Sequence, residues 1–282
     1  MRPPRDARIV AGIYLGYAAI LAFFLLPALW IVSLSLRPLD ELFTYPPTLL
    51  PAHVDWSSYR TVLIMSPLLL YVWNSVKFAV ATVVGALAVA LPASYALSRL
   101  RFGGGVTKQG ILLGILAVQL VSPLVTALPL YRYFSALGLV NSQWAVALVY
   151  IAVEAPFATW MLKGFFDTVP RELDEAARID GCSRLQTLGH VVLPVMLPGL
   201  ASTAIVLAIS SWGQFLIPYI LIDRNELQPI GVGILDFQST AQAVSTNQLA
   251  AAAILAAIPA VLIFTILQRF IVSGLTSGAL KG

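Results

Sequence analysis

Long apolar runs alternate with short polar connections along this chain of 282 residues. A helix that crosses a lipid bilayer needs about 20 mostly apolar residues. Six runs meet this requirement: residues 9–36, 70–97, 110–130, 142–162, 193–222 and 249–271. The pattern predicts an all-α integral membrane protein in which six transmembrane helices form a single domain over residues 1–282.

The most polar interruption, residues 167–198, lies between the fourth and fifth runs and holds 5 of the 13 acidic residues. Pro170 stands where a helix can start, and acidic residues follow it in the first turns, where the helix dipole favours them. Gly181 is placed to end this helix. One face of the predicted amphipathic helix is apolar and consists of Val169, Leu173, Ala176 and Ala177.

A second short helix is predicted directly after the glycine. Ser183 and Gln186 have the S-x-x-Q spacing of a capping box, in which each residue satisfies a free backbone N–H of the other. Two short helices joined by a glycine bend are typical of a docking element. The alternative is a solvated amphipathic loop that contacts no partner.

The composition agrees with a membrane protein. Hydrophobic residues make up 59% of the chain and charged residues 11%, whereas soluble domains carry about 25% charged residues. The net charge of +4 does not indicate a nucleic-acid partner, because the basic residues lie near predicted membrane boundaries. We therefore expect contact with membrane lipid and none with nucleic acid.

Basic residues are unevenly divided between the two predicted sides of the membrane. One side holds twelve of them: Arg2, Arg5, Arg8, Arg99, Arg101, Lys108, Lys163, Arg171, Arg178, Arg184, Arg269 and Lys281. The other holds four: Arg37, Arg60, Arg132 and Arg224. Since short cytoplasmic loops carry the excess of lysine and arginine, both termini and the 167–192 loop are predicted to be cytoplasmic. The Gly-rich turn at residues 101–105 is then a cytoplasmic loop.

Residue types that carry catalysis or bind cofactors are sparse. The single cysteine, Cys182, excludes an intrachain disulfide, and His53 and His190 are far apart in the sequence. The chain contains no G-x-x-x-x-G-K-[ST] motif, which is the loop that binds ATP phosphates. We expect no catalytic residue, no cofactor and no metal site in this chain.

The charged segment also resembles a known motif. Its anchor residues are Glu175, Ala176, Ala177, Asp180, Gly181, Leu193 and Pro194. They match the "EAA" loop of ABC-importer permeases, which reads E-A-A, three residues, G, nine residues, I, one residue, L-P. Val191 stands where isoleucine is usual. In that family the loop is a coupling helix, here between transmembrane helices four and five, that sits in a cleft of a separate ATPase.

Flanking sequence resembles the maltose-type, carbohydrate-uptake branch of these permeases, from about Leu36 to the C-terminus. The segments that carry this likeness are residues 160–166, 212–218 and 268–282. The resemblance implies a bacterial inner-membrane protein whose partners are two ABC ATPase subunits, a second homologous permease and an extracytoplasmic substrate-binding protein. ATP and magnesium would then be bound by the ATPase, which the tail at 273–281 would also reach.

Polar residues inside the predicted spans are candidates for a substrate pathway, because such groups are costly in a membrane unless they face protein or water. Glu154 lies near the middle of the fourth run. It has a partner, is protonated, or lines the pathway. Uncharged polar and aromatic side chains suit a sugar, and the further candidates are Gln119, Asn74, Trp212 and Gln214. Hydrogen bonding between helices is the alternative role for each.

Two longer connections, residues 37–69 and 223–247, lie on the predicted outer side. The first is rich in proline and aromatic residues, which is typical of an interfacial belt; the family resemblance implies a surface that faces the binding protein. Two other functions stay open: a proton- or ion-coupled secondary transporter that uses Glu154, and an ABC permease for a glycerol-phosphate-like solute.

Overall fold

The computed structural model describes residues 7–43, 45, 48–100, 107–235, 237 and 246–279. Arg2 and Arg5, the Gly-rich turn at residues 101–105 and Lys281 lie outside the described residues. The chain divides into two compact units. One comprises Met1–Leu68 with Ile234–Ala257, and the other comprises Leu69–Gly233 with Ile258–Gly282.

The described residues form helices and no strand. In chain order the α-helices are α1 (Ala7–Ser35), α2 (Ser57–Met65), α3 (Leu68–Arg99), α4 (Lys108–Val118), α5 (Pro123–Ala136), α6 (Gln143–Thr168), α7 (Glu172–Ile179), α8 (Arg184–Gln186), α9 (Leu193–Val195), α10 (Leu197–Trp212), α11 (Leu216–Leu221), α12 (Ile230–Gly233) and α13 (Thr246–Ala279). Single turns of 3₁₀-helix occupy Asp40–Phe43 and Asn225–Leu227, and a π-helical turn occupies Thr187–Val192.

Four helices are long and apolar enough to cross a membrane: Ile9–Ser35, Leu68–Arg99, Gln143–Thr168 and Thr246–Thr265. They coincide with the first, second, fourth and sixth apolar runs. The third run is instead a bent pair of helices, Gln109–Val118 with Pro123–Ala136, at an angle of 75°. The fifth run begins inside a second bent pair, Arg184–Val195 with Leu197–Trp212, at an angle of 84°. The described part of the chain therefore contains four to six candidate membrane crossings.

The third run is divided because it contains a helix start. Ser122 is the N-cap of α5, and its hydroxyl accepts a hydrogen bond from the backbone N–H of Leu124 at 3.3 Å. Pro123 follows as the first helical residue, where its missing N–H costs nothing. The sequence break at residues 119–122 thus ends α4 and begins α5 in a new direction.

The fifth run is also shorter than predicted. Helix α10 ends at Trp212, and the chain continues through residues 213–215 to the short helix α11. Conversely, α6 extends six residues beyond the predicted end of the fourth run, to Thr168. Its last turn contains Phe166, which is fully buried, so packing rather than apolar length sets this boundary.

The core of the unit that contains α3 to α11 consists of two apolar clusters. One includes Leu162, Phe166, Val192 and Leu207, and the other includes Val146, Tyr150, Leu221 and Ile222. Small buried residues allow the helices to approach closely: Ala86 and Ala90 of α3 and Ala158 of α6 have no exposed surface.

The other unit is held together around Arg37, which the sequence assigns to an outer loop but which is only 3% exposed. Its guanidinium donates to Ser33 Oγ at 3.2 Å and to the carbonyl of Thr48, and it lies 5.1 Å from the ring centroid of Trp30. The Asn247 side chain donates to the Arg37 carbonyl at 2.9 Å. This arginine therefore ties the end of α1 to the following connection and to α13.

The predicted outer connection at 37–69 contains exposed aromatic residues, among them Tyr45 and Trp56. Before α2, Asp55 accepts from the Ser57 hydroxyl at 2.6 Å and from the Ser57 N–H at 2.8 Å. These two hydrogen bonds stabilise the carboxylate and hold the pKa of Asp55 below its usual value.

Candidate functional site

The charged segment folds as two short helices joined at Gly181. Helix α7 carries Glu172, Asp174 and Glu175 in its first turn. Gly181 has φ of +84°, a left-handed conformation that favours glycine. The N–H of Cys182 bonds the carbonyl of Ala177 at 2.9 Å and so satisfies a terminal carbonyl of the helix. The prediction that Gly181 ends this helix is confirmed.

The second predicted helix start is confirmed as well. Ser183 is the N-cap of α8; its hydroxyl accepts from the N–H of Gln186, and the Gln186 side chain accepts from the N–H of Ser183 at 2.8 Å. The chain then forms the π-helical turn at Thr187–Val192 and enters α9 through Leu193 and Pro194. Proline has no N–H and disrupts regular helical hydrogen bonding, which accounts for the irregular turn before it.

Helix α7 presents two different faces. Leu173, Asp174 and Ala177 face the interior, whereas Glu175 and Ala176 are exposed. Ala176, which the sequence places on one apolar face with Leu173 and Ala177, is exposed, so only part of that face is buried. The helix begins at Glu172 instead of Pro170, and its register is set by the burial of Asp174.

The outward surface of the α7–α8 segment is apolar at two positions. Ile179 is 87% exposed and Leu185 is 77% exposed. These residues flank the Gly181 bend, together with the exposed side chain of Asp180. The segment thus combines a turn fixed by capping with large apolar side chains that the described chain does not cover.

Asp174 fastens the inner face of α7 to the end of α3. Its Oδ1 accepts from the Tyr95 hydroxyl at 2.7 Å, and its Oδ2 lies 2.9 Å from Arg99 Nε. The Arg99 and Asp174 side chains are 8% and 11% exposed. Arg99 also donates to the carbonyl of Val169 at 2.8 Å. One buried arginine therefore holds both α7 and the chain that leads into it.

A second set of contacts holds the end of α6 to α3. The Ser98 hydroxyl donates to Asp167 Oδ1 at 2.7 Å, and Lys163 Nζ lies 2.5 Å from Asp167 Oδ2. Between α3 and the α7–α8 segment there is a polar cavity of about 320 Å³. Its lining residues include Tyr95, Arg99, Arg171, Asp174, Arg178 and Arg184.

Of the pathway candidates, the structure brings the side chains of Glu154 and Gln214 together. Glu154 is 7% exposed and accepts a hydrogen bond from Ser210 Oγ at 2.5 Å and another from the Gln214 side chain. These contacts join α6 to α10 and to the residues just after it. Trp212 is half-buried and lies on α10 between the two partners in sequence.

Gln119 and Asn74 bond to backbone groups. Gln119 Nε2 donates to the Val153 carbonyl at 2.9 Å, which links the α4–α5 break to α6. Asn74 is 1% exposed, and its amide donates to the carbonyls of Glu226 and Gln228 at 3.0 and 2.9 Å. Both side chains have the helix-tying role that the sequence left as an alternative.

The sequence interpretation missed Ser210, Tyr95 and Asp174. Asp174 carries a signal that could have been used: an acid between Leu173 and Ala177 on an inward helical face needs a partner. Among the described residues, no group of three or more His, Cys, Asp or Glu side chains could hold a metal ion.

Comparison with known proteins identifies the family. Residues 90–277 match the family model described as "Binding-protein-dependent transport system inner membrane component". The chain is 32% identical over 256 residues to the diacetylchitobiose uptake system permease protein DasC of Streptomyces coelicolor, covering 91% of both chains. It is 36% identical over 209 residues to the maltodextrin transport system permease protein MdxG of Bacillus subtilis, covering 74% of both.

The fold matches as well. A bacterial ABC transporter involved in the import of the acidic polysaccharide alginate superposes with a TM-score of 0.78 and 23% identity, covering 95% of this chain and 98% of that one. The motif, the helical architecture and the family model agree. This chain is a multi-pass protein of the bacterial inner membrane and belongs to the family of binding-protein-dependent transport system inner membrane components.

Proposed function

We propose that this chain is the permease subunit of an ATP-driven importer and that the α7–α8 segment is its contact with the ATPase. The observation that carries the proposal is the exposure of Ile179 and Leu185 beside the capped Gly181 turn. Large exposed apolar side chains next to polar ones are typical of a protein interaction site. Glu175 and Asp180 add two carboxylates for basic or amide groups of the partner.

The proposed assembly follows from this contact. Two ATPase subunits hydrolyse ATP with magnesium, and this chain itself is not an enzyme. A second homologous permease completes the pathway, and an extracytoplasmic binding protein delivers the solute. Both termini and the α7–α8 segment lie on the cytoplasmic side, as the basic residues favour. Closure of the ATPases moves α7 and shifts the permease between its inward- and outward-facing states.

The proposed cargo is a sugar or a sugar-like solute. DasC is named for a diacetylchitobiose uptake system and MdxG for a maltodextrin transport system. Glu154, Ser210 and Gln214 form a polar cluster, and such a group suits a solute rich in hydroxyls. Because Glu154 is bonded to two neutral partners, Ser210 on α10 and Gln214 just after it, a helix-joining role explains its burial without a proton relay. The family assignment therefore favours the importer over the secondary transporter.

Co-purification tests the ATPase contact. We expect Ile179→Asp and Glu175→Lys to abolish co-purification of this chain with the ATP-binding subunit. Glu226→Lys is the matched control, since it makes the same charge change on an exposed residue of the predicted outer side. Retention of the ATPase by both α7 variants would rule out the proposed contact surface.

Ligand binding tests the cargo. The partner binding protein is titrated with oligosaccharides and, in a separate series, with glycerol 3-phosphate. Saturable binding of an oligosaccharide is expected. Binding of glycerol 3-phosphate alone would replace the sugar with the competing cargo.

A further inference from the structure

The tie between Asp174 and α3 has a counterpart at the opposite end of the same helix. Asn74 of α3 bonds the carbonyls of Glu226 and Gln228, and the hydroxyl of Ser75 accepts from the N–H of Ile230 at 2.8 Å. Both side chains are almost fully buried. Helix α3 is therefore fixed to the α7–α8 segment at one end and to the 222–230 connection at the other.

The two ends are separated by most of a long helix. Helix α3 contains 32 residues and thus spans about 48 Å at a rise of about 1.5 Å per residue. This exceeds the roughly 30 Å thickness of the hydrocarbon core. A displacement of α3 along or about its axis therefore reaches across the membrane.

The contacts of Asp174 with Tyr95 and Arg99 fix the position of α7 on α3, because they are charged and buried. Tyr95 and Arg99 are four residues apart and lie on one face of α3, and each contacts a different oxygen of Asp174. Moving α7 away from α3 would leave a buried carboxylate or guanidinium without a partner, which is strongly unfavourable. By contrast, the apolar contacts of Leu173 and Ala177 with the core resist separation without fixing a register.

The 222–230 connection is held by residues from two parts of the chain, α3 and the start of α6. The same connection that α3 holds is also bonded by α6 and the residues before it: Asn141 Oδ1 accepts from the N–H of Asp223 at 2.7 Å, and Gln143 Nε2 donates to the Leu227 carbonyl at 2.9 Å. A shift of α3 relative to α6 must therefore deform this connection.

We infer that Asp174 is a positioning residue through which the nucleotide state of the ATPase is transmitted along α3 to the 222–230 connection. The inference rests on the proposed function of the α7–α8 segment as the ATPase contact. In this arrangement Asp174 does not itself touch the ATPase. It couples the movement of α3 to that of α7, and the 222–230 connection moves with α3.

The test uses the assembled transporter and needs no transported solute. Cys182→Ser removes the native thiol, and Glu226→Cys places a reporter on the exposed part of the connection. The rate at which a water-soluble maleimide modifies the reporter is measured without nucleotide and with ATP, magnesium and vanadate. We expect the rate to change about fivefold or more on addition of nucleotide, which matches the low end of the usual coupling of affinities between sites, about 5- to 150-fold.

Asp174→Asn should abolish this change while the ATPase still co-purifies and hydrolyses ATP. Asn74→Ala should do the same from the other end of α3. The matched control is Asp40→Asn, an exposed aspartate of the other unit, which should keep the full response. The exchange Arg99→Asp with Asp174→Arg should restore part of it.

Two results would overturn the inference. One is a full nucleotide response in Asp174→Asn. The other is loss of the ATPase from the complex of that variant, which would make Asp174 a residue of assembly. Failure of the parent transporter to bind an ATPase at all would instead overturn the proposed function, and the inference with it.

Discussion

Each of the two units contains a buried arginine, and the two arginines are bonded in different ways. Arg37 is 3% exposed and donates to neutral groups, the Ser33 hydroxyl and the Thr48 carbonyl, beside the ring of Trp30. The Arg99 side chain is 8% exposed and is paired with the Asp174 carboxylate. The groups that accept hydrogen bonds from the Arg37 side chain thus lie close to it in the sequence. Arg99, in contrast, pairs with an acid 75 residues away, Asp174.

The two arginines differ in whether they can pass the movement of one helix to another. A guanidinium bonded to nearby neutral groups fixes a local bend of the chain. An ion pair between distant elements makes two helices move together, because either charge alone is costly to bury. The contacts of Arg37 therefore suit a fixed bend of the chain. The Arg99–Asp174 pair suits a contact, called here the Arg99 joint, that couples the movement of two helices.

The largest expected effect separates these two arginines directly. Arg99→Met leaves the Asp174 carboxylate buried without its cation and should lower the free energy of unfolding by about 3–5 kcal/mol. Arg37→Met leaves only neutral acceptors and should lower it by about 1–2 kcal/mol. Denaturation of the purified proteins in detergent measures both. Equal losses would mean that the charge of the partner does not matter.

A smaller effect is expected from a substitution at Gly181, which ends the helix that carries Asp174, the partner of Arg99. Gly181→Ala places a side chain on a residue with φ of +84° and should cost about 1–2 kcal/mol. Relief of this strain would alter the end of α7 and weaken co-purification with the ATPase. Gly189→Ala is the control, because the added carbon meets no atom within 4 Å beyond the adjoining backbone and no left-handed φ is present there. The two variants should differ; identical co-purification would show that the turn is not needed.

Glu154 extends the comparison to a buried acid with neutral partners. Glu154→Gln keeps an oxygen that can accept from Ser210 and should change the unfolding free energy by about 1 kcal/mol or less. We expect normal assembly with an altered rate of uptake or solute preference, measured in proteoliposomes that contain the whole transporter. Unchanged uptake would remove Glu154 from the candidate pathway.

The smallest effect is expected for an ion pair that is not buried. Lys163 and Asp167 are 25% and 43% exposed, and pairs of this kind contribute about 0.5 kcal/mol. Lys163→Met should therefore alter stability far less than Arg99→Met. A comparable loss would indicate that charge pairing, and not burial, gives the Arg99 joint its strength.

Local signals were read correctly from the sequence. The capping box at Ser183 and Gln186 and the end of α7 at Gly181 depend on residues within a few positions of one another. The long helices α1, α3, α6 and α13 follow from apolar length alone. The "EAA" spacing led to the family because it joins several such local features in one segment.

Features that depend on distant partners were not accessible in the same way. Apolar length cannot reveal that the runs at 110–130 and 193–222 bend. One break is set by hydrogen bonding at Ser122, and the other lies at Met196, between α9 and α10. The exposure of Ala176 was not accessible either, because the pairing of Asp174 with Arg99 decides which side of α7 is buried. The pathway candidates Asn74 and Gln119 proved to bond backbone groups of other segments.

The glycine bend also carries the chain's single thiol, that of Cys182, which is partly exposed. A membrane-impermeant sulfhydryl reagent added to intact cells can therefore react with this chain at one position only, Cys182. Protection in cells and labelling after lysis would establish the sidedness of the bend without any engineered substitution. Labelling from outside would exclude every scheme in which this turn meets an ATP-hydrolysing partner.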